Sequence, residues 1–319
     1  MAAPGSSSHP IYVGPLAESS LPKLLASPEF KTAKKFILAD ENSIHFCLPL
    51  LLDQVEALRE AEIIEIESGE QNKNIEICHR IWEVLSEMEA DRHSVLINLG
   101  GGVIGDLGGF IASTFKRGIR FIHIPTTLLA QVDASIGGKV GVDLGSLKNQ
   151  VGLFSNPHAV FVDYRFLKTL PKREVLSGFA EVIKHALIAD VEYWNLLQHF
   201  DLSVQHDWNE IVLKSIEIKS NVVKEDPHEK GRRKILNFGH TIGHALESFF
   251  LEQGQHSVTH GEAVAIGIIC ECWLSHRYRK LPLEQFNAIV HLITNWFPHY
   301  PIDEMDFHRL IELMRNDKK

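Results

Sequence analysis

Cysteine is scarce in this 319-residue chain. The four present, Cys47, Cys78, Cys270 and Cys272, follow no spacing of a structural metal site. Cys270 and Cys272 are separated by one residue and lie in an apolar run, so all four read as reduced core thiols. Long hydrophobic runs are also missing: no apolar stretch reaches the ~18 residues that a membrane-spanning helix needs. The opening "MAAPGSSSHP" has no basic or apolar leader segment, and reads as a loose terminus without a signal peptide. These traits point to the cytoplasm. Positive charge is in deficit, with 32 Lys and Arg against 41 Asp and Glu and a formal net charge of -9. No nucleic-acid partner is indicated, and a phosphorylated substrate would have to be met by locally clustered cations. There is no P-loop spacing, internal repeat or low-complexity linker.

Histidine is abundant, at 18 residues. The first half of the chain alternates short apolar runs ("KKFILAD", "AEIIEIE", "SVLINLG", "IRFIHIP", "HAVFVD") with segments of helical periodicity. Strands alternating with helices imply a parallel sheet covered by helices. After about Asp163 the segments read as helices only. The expected fold is therefore an α/β, Rossmann-like N-terminal domain over residues 1–164 and an all-α C-terminal domain over residues 165–319.

"LINLGGGVIGDLGGF" follows a strand and opens a helix. Gly100, Gly102 and Gly105 fit G-x-G-x-x-G, which lets a backbone approach a pyrophosphate and sets that charge against helix N-terminal amides. No acid follows about 20 residues on, where a ribose hydroxyl would need one. Asp40, ending an earlier strand, could do that work. A tight turn with no ligand is the bland alternative. Further along, "PTTLLAQVDASIGGKVGVDLGSLKNQVG" sets Thr126, Thr127 and Asp133 before a Gly-Gly-Lys turn at Lys139, with Lys148 beyond. Free amides and a cation together make a phosphate cradle.

"NFGHTIGHALE" places His240 and His244 on one helix face, close enough to chelate one metal. His260 opens another helix, with Glu262 near it. Glu181 lies in the apolar helix "SGFAEVIKHALIA", where a lone carboxylate would be costly. Lys184, one turn on, could partner it, as could a metal shared with the histidines. Hydrogen-bonded core histidines are the alternative. His185, His256 and His276 carry no assigned role.

Several long motifs in order, "SGEQNKN", "GGGVIGDLGGF", "RGIRFIHIPTTLLAQVDASIGGK", "LKN", "SGFAEVIKHALI", "LNFGHTIGHALE" and "HGEAVAIG", make the chain from about residue 35 onward resemble the 3-dehydroquinate synthases, of the sugar phosphate cyclase family. The resemblance implies NAD and a divalent metal, zinc first and cobalt as the substitute. It implies Glu181, His240 and His260 as metal ligands, and His244 as a proton-transfer residue. NAD would be met by Asp40, Asn42, Glu70, Lys73, the turn Gly102, Val103, Ile104, Gly105 and Asp106, by Thr126 and Thr127, and by the stretch from Phe166 to Thr169. Lys139 and Lys148 border that site. The substrate's phosphate and carboxylate would be held by Lys139, Lys148, Asn149, Lys184, Lys219, Arg233 and Asn237, with Asp133 nearby. Arg117 matches an arginine that reaches the neighbouring subunit's site, implying a homodimer.

The implied substrate is the sugar phosphate 3-deoxy-D-arabino-heptulosonate 7-phosphate. Oxidation at C5 by hydride transfer to NAD acidifies C6, phosphate is eliminated, the hydride returns, and ring opening with an intramolecular aldol gives 3-dehydroquinate. The chain departs from the family pattern at "VGVDLGSLKN" and in stopping at "RNDKK", where the family's C-terminal lysine would be Lys318 or Lys319. Rival readings are another cyclase, such as 2-epi-5-epi-valiolone or 2-deoxy-scyllo-inosose synthase, or a metal-dependent alcohol or glycerol dehydrogenase.

Overall fold

The computed structural model describes residues 9–145, 147–202, 207–253 and 258–316. The N-terminal stretch 1–8, Ser146, His256 and the candidate lysines Lys318 and Lys319 lie outside the described residues. By packing, the chain divides into two compact units: Met1–Leu170 with Trp208–Lys224, and Pro171–Asp207 with Glu225–Lys319.

The first unit is built on β1 (Ile11–Val13), β2 (Lys35–Asp40), β3 (Glu62–Ile66), β4 (Val95–Gly100) and β5 (Arg120–Pro125). After them come β6 (Lys139–Leu144), β7 (Leu147–Phe154) and β8 (Ala159–Val162). Six of these form one sheet in the order β1-β8-β5-β4-β2-β3, with every pairing parallel. The remaining two, β6 and β7, pair antiparallel as a separate hairpin. Every residue of β4 is buried, as expected for a parallel strand covered on both faces, which is why "VLINLG" shows no polar alternation. Val95, Ile97 and Leu99 pack into one core with Leu51, Ile122 and Phe161. Leu96 packs into the other, with Leu38, Leu107, Ile111 and Phe121. The α/β sheet and the all-helical remainder expected from the sequence are both present. The strand β1 and the hairpin were not expected.

Strand order reverses between β2 and β4: β3 lies beyond β2 on one side, while β5 and β8 lie beyond β4 on the other. Parallel sheets bind ligands outside the carboxyl ends of their strands at such a reversal. Asp40 ends β2 and Gly100 ends β4 there. The chain then enters helix α1 (Gly102–Thr114). Two glycines on α1 bring it close to its neighbours. A Cβ on Gly108 would lie 2.0 Å from Asn98 Oδ1, and one on Gly109 would lie 2.4 Å from Val140.

The second unit contains α2 (Lys172–Ala189), α4 (His240–Glu252) and α5 (His260–Arg279). The intervening α3 (Asn209–Glu225) belongs up to Lys224 with the first unit. Glycines set the crossing of α4 and α5. Gly239 has φ +80°, which only glycine adopts freely. A Cβ on Gly267 would fall 1.9 Å from the Gly239 carbonyl oxygen, and one on Gly243 would lie 3.2 Å from the Val264 backbone. The start of α5 presses against α2 in the same way, since a Cβ on Gly261 would lie 2.2 Å from the Ser177 carbonyl oxygen. Thr259 and Glu262 form a capping box at that end. Among the described residues, no helix is long and apolar enough to cross a membrane.

Candidate metal and nucleotide sites

In the first unit, the turn from Gly100 to Gly105 covers a small pocket lined also by Asn98, His123, Pro125, Ala134 and Ser135. Protein packing does not explain all of its glycines. A Cβ on Gly102 would meet only Ala134 at 3.5 Å, and one on Gly105 only His123 at 3.9 Å. Both positions have room for a side chain, and neither has positive φ. Their bareness is what a pyrophosphate lying on the α1 amides requires. Beneath the turn, Asn98 Nδ2 lies 3.2 Å from His123 Nδ1. Burial, aided by nearby His9, lowers the His123 pKa from 6.5 to about 3, so the ring is neutral. Asp40 Oδ1 accepts from the Ser43 amide at 2.7 Å and caps a short helix.

Three residues, Lys73, Asn149 and Asp143, close a ring beside this turn, and Asp106 joins it through Lys73. Buried Lys73 pairs with Asp106 of α1 at 2.7 Å and donates to Asn149 Oδ1 at 2.6 Å. The Asn149 amide donates to Asp143 Oδ1 at 2.6 Å, and the Asp143 amide donates to the Lys73 carbonyl at 2.8 Å. Asn149 is thereby held at φ 51°. Glu70 lies 3.6 Å from Lys73 and 3.8 Å from Lys148. Lys219 on α3 pairs with Asp133 Oδ1 at 2.7 Å and donates to the Asp133 carbonyl at 2.6 Å. Thr127 Oγ1 accepts from the Ala130 amide at 3.1 Å.

In the second unit, α2 supplies Glu181, α4 opens with His240 and α5 opens with His260. The close helix crossings bring them together. Glu181 Oε1 faces His240 Nε2 at 3.5 Å and His260 Nε2 at 3.4 Å, while Oε2 is paired with Lys184. Of the two partners weighed for Glu181, Lys184 meets Oε2, while Oε1 faces the two histidines with which a metal would be shared. One donor atom from each of Glu181, His240 and His260 lies within 4.8 Å of the others. Each imidazole is held at its other nitrogen, His240 Nδ1 lying 3.2 Å from the Phe238 carbonyl and His260 Nδ1 3.2 Å from Glu247 Oε2. Burial opposes charge on His260, but Glu247 and Glu181 outweigh it and raise its pKa to about 9. Two nitrogens and one carboxylate oxygen form a zinc-type donor set that leaves a coordination position open. His244, on the same face of α4, lies 5.3 Å from the His240 ring and 6.1 Å from the His260 ring, centroid to centroid.

The other expected residues are placed as follows. Buried Arg233 donates to the Pro227 carbonyl at 2.8 Å, and Asn237 donates to Glu229 at 3.1 Å. Asn42, Arg117, Lys139, Lys148 and Thr169 are exposed. Ile104 and Phe166 turn their side chains into the two cores of the first unit, and Thr126 is buried. His185 is buried, and His276 lies 2.7 Å from the Leu281 carbonyl. All four cysteines are free, and burial pushes Cys47, Cys78 and Cys272 up to about 12, which rules them out as nucleophiles at neutral pH. The sequence reading missed Glu247 and Asp143. Glu262, noticed only for its nearness to His260, holds Arg173 at 2.8 Å and Tyr300 at 2.9 Å and pins the start of α5. For Glu247 a signal existed: it falls seven residues after His240 and three after His244, on their helix face.

Comparison with known proteins finds relatives along most of the chain. The family model described as 3-dehydroquinate synthase N-terminal matches residues 63–177, and its C-terminal counterpart matches residues 178–319. A 3-dehydroquinate synthase of Parabacteroides distasonis is 46% identical, over 95% of this chain and 85% of its own length. One from Alkaliphilus oremlandii is 40% identical, over 99% and 86%. Among solved structures, 2-deoxy-scyllo-inosose synthase complexed with carbaglucose-6-phosphate, NAD+ and Co2+ aligns with TM-score 0.79 at 27% identity, covering 98% of this chain and 86% of that one. At 24% identity and TM-score 0.82, covering 99% and 88%, 2-epi-5-epi-valiolone synthase from Streptomyces hygroscopicus shares the fold.

Proposed function

Since the chain belongs to the 3-dehydroquinate synthase family, we propose that it converts 3-deoxy-D-arabino-heptulosonate 7-phosphate to 3-dehydroquinate and phosphate, a step of the shikimate route to aromatic amino acids. The observation that carries this reading is the convergence of Glu181 Oε1, His240 Nε2 and His260 Nε2. When bound, a zinc or cobalt ion supplies Lewis acidity to the substrate hydroxyls, and NAD supplies a reversible hydride acceptor.

The chain's own residues do the rest. The α1 amides and bare Gly102 and Gly105 support the cofactor pyrophosphate, with Asp40, Asn42, Glu70, Lys73, Thr126, Thr127 and Thr169 around the nucleotide. Lys184 pairs with Glu181 and supplies the cation that a carboxylate inside an apolar helix needs. His244 moves the proton released from the substrate hydroxyl. Lys139, Lys148, Asn149, Lys219, Arg233 and Asn237 bind and orient phosphate and carboxylate, local cations in an acidic chain. A cytoplasmic homodimer, with exposed Arg117 reaching the neighbouring copy, belongs to the same reading.

The test follows phosphate release from the heptulosonate phosphate with NAD and zinc, while recording NADH absorbance. Phosphate released without net NADH is expected. Accumulating NADH would replace the reading with a dehydrogenase, and release only from a different sugar phosphate would replace it with another cyclase.

A further inference from the structure

His260 has two ring nitrogens, and the structure gives them different partners. Nε2 faces Glu181 and, through it, the His240 side of the cluster. Nδ1 faces Glu247, which is 8% exposed and lies on α4, whereas Glu181 lies on α2. As a metal ligand the ring is neutral and carries one proton and one lone pair. With a carboxylate at Nδ1, the proton belongs on Nδ1 and the lone pair on Nε2, the atom turned toward Glu181.

The charges in the cluster point the same way. Glu181 is already matched by Lys184, so a divalent ion held by Glu181, His240 and His260 would sit in a centre with excess positive charge. Glu247 is the second buried acid against that centre. His240 has a weaker version of the same support, a neutral carbonyl at Nδ1. Ligands with such outer partners are fixed in tautomer and ring orientation and made more basic.

We propose that Glu247 is a positioning residue of the metal centre: it fixes the Nδ1–H tautomer of His260 and supplies the countercharge that raises metal affinity. This rests on the metal reading given above. His244, Glu247 and His260 also bring donor atoms within 4.8 Å of one another, so a metal bound on the Nδ1 side of His260 is the competing arrangement.

The experiment measures zinc affinity of the full chain by competition with a chromophoric chelator. It compares wild type, Glu247→Leu and Glu247→Gln, with Glu181→Gln and His260→Ala as references. Glu247→Leu is expected to weaken zinc about 10- to 100-fold, and Glu247→Gln, which keeps an oxygen acceptor, by less. In the zinc-bound wild type, nitrogen-15 NMR of the His260 ring, assigned with His260→Gln, should show the proton on Nδ1. If both reference variants keep wild-type zinc affinity, the metal reading itself fails. If they lose it while Glu247→Leu does not, Glu247 has no positioning role. Should Glu247→Leu fail to fold, the wild-type NMR decides: a proton on Nε2, or metal on Nδ1, overturns the proposal.

Discussion

Replacing His123 by glutamine tests the support under the glycine turn. The wild-type ring is buried, and its pKa of about 3 compares with 6.5 for an ordinary histidine. Between these values the unfolded chain takes up a proton that the folded chain refuses. The unfolded state then binds more protons, so stability falls as pH drops through that window and is unaffected by this ring above it. Each pH unit is worth about 1.4 kcal/mol. Descending from neutral to about pH 5 therefore removes about 2 kcal/mol, and descending to about pH 3 removes about 5 kcal/mol. Glutamine keeps a polar group near Asn98 and cannot titrate. Urea unfolding of both proteins at about pH 7.5 and about pH 5 should show the wild type losing about 2 kcal/mol more than the variant. His9, itself lowered to about 4 by burial against an Asn156 hydrogen bond, is present in both and largely cancels. Parallel pH dependences would refute the reasoning, because they would mean that the ring is hydrated or already protonated when folded.

The glycines of the turn should separate stability from binding. Gly105→Ala has room for its methyl group and replaces a helix-interior glycine, so urea unfolding should show a change within about 1 kcal/mol, while NAD affinity by fluorescence titration falls at least about tenfold. Gly267→Ala drives a methyl group to 1.9 Å from a backbone oxygen; thermal unfolding should report a loss of about 3 kcal/mol, with weaker zinc binding as α4 and α5 part. His260→Ala should abolish zinc binding, whereas His244→Ala should keep zinc and slow turnover about 100-fold or more; equal loss of zinc in both would dissolve that division of roles.

Much of the site was legible because its residues sit at the ends of elements with strong local signals. Asn98 to Gly102 join a fully buried strand to a glycine-rich helix start, and His240 and His260 each open a helix. The hairpin β6–β7 was hidden by its glycines. Gly141 and Gly152 face each other across the ladder, where a Cβ on either would strike the opposite strand, 2.7 Å from the Val151 oxygen or 2.5 Å from the Val140 oxygen. Glycine is a poor strand former, so the requirement of close approach masked the propensity, although a Gly-Ser pair between two alternating runs is itself a hairpin signal. Contacts set by tertiary packing left no local trace. Lys219 reaches Asp133 across 86 residues, and Glu247 reaches His260 only because three glycines let their helices approach.

The ring of Lys73, Asn149 and Asp143, with Asp106 paired to Lys73, bears on how the sequence can drift. Losing the carboxylate at 106 takes the nearest acid from a buried ammonium at 73 and leaves it only Glu70 at 3.6 Å as an ion-pair partner, and losing the acid at 143 releases the amide that keeps Asn149 in its left-handed conformation. A change at any one position weakens the hold on a neighbour, so these four residues are expected to substitute as a group. The hairpin and the glycine-turn helix are in that sense one inherited part, although Asp106 and Asn149 are 43 positions apart in the chain.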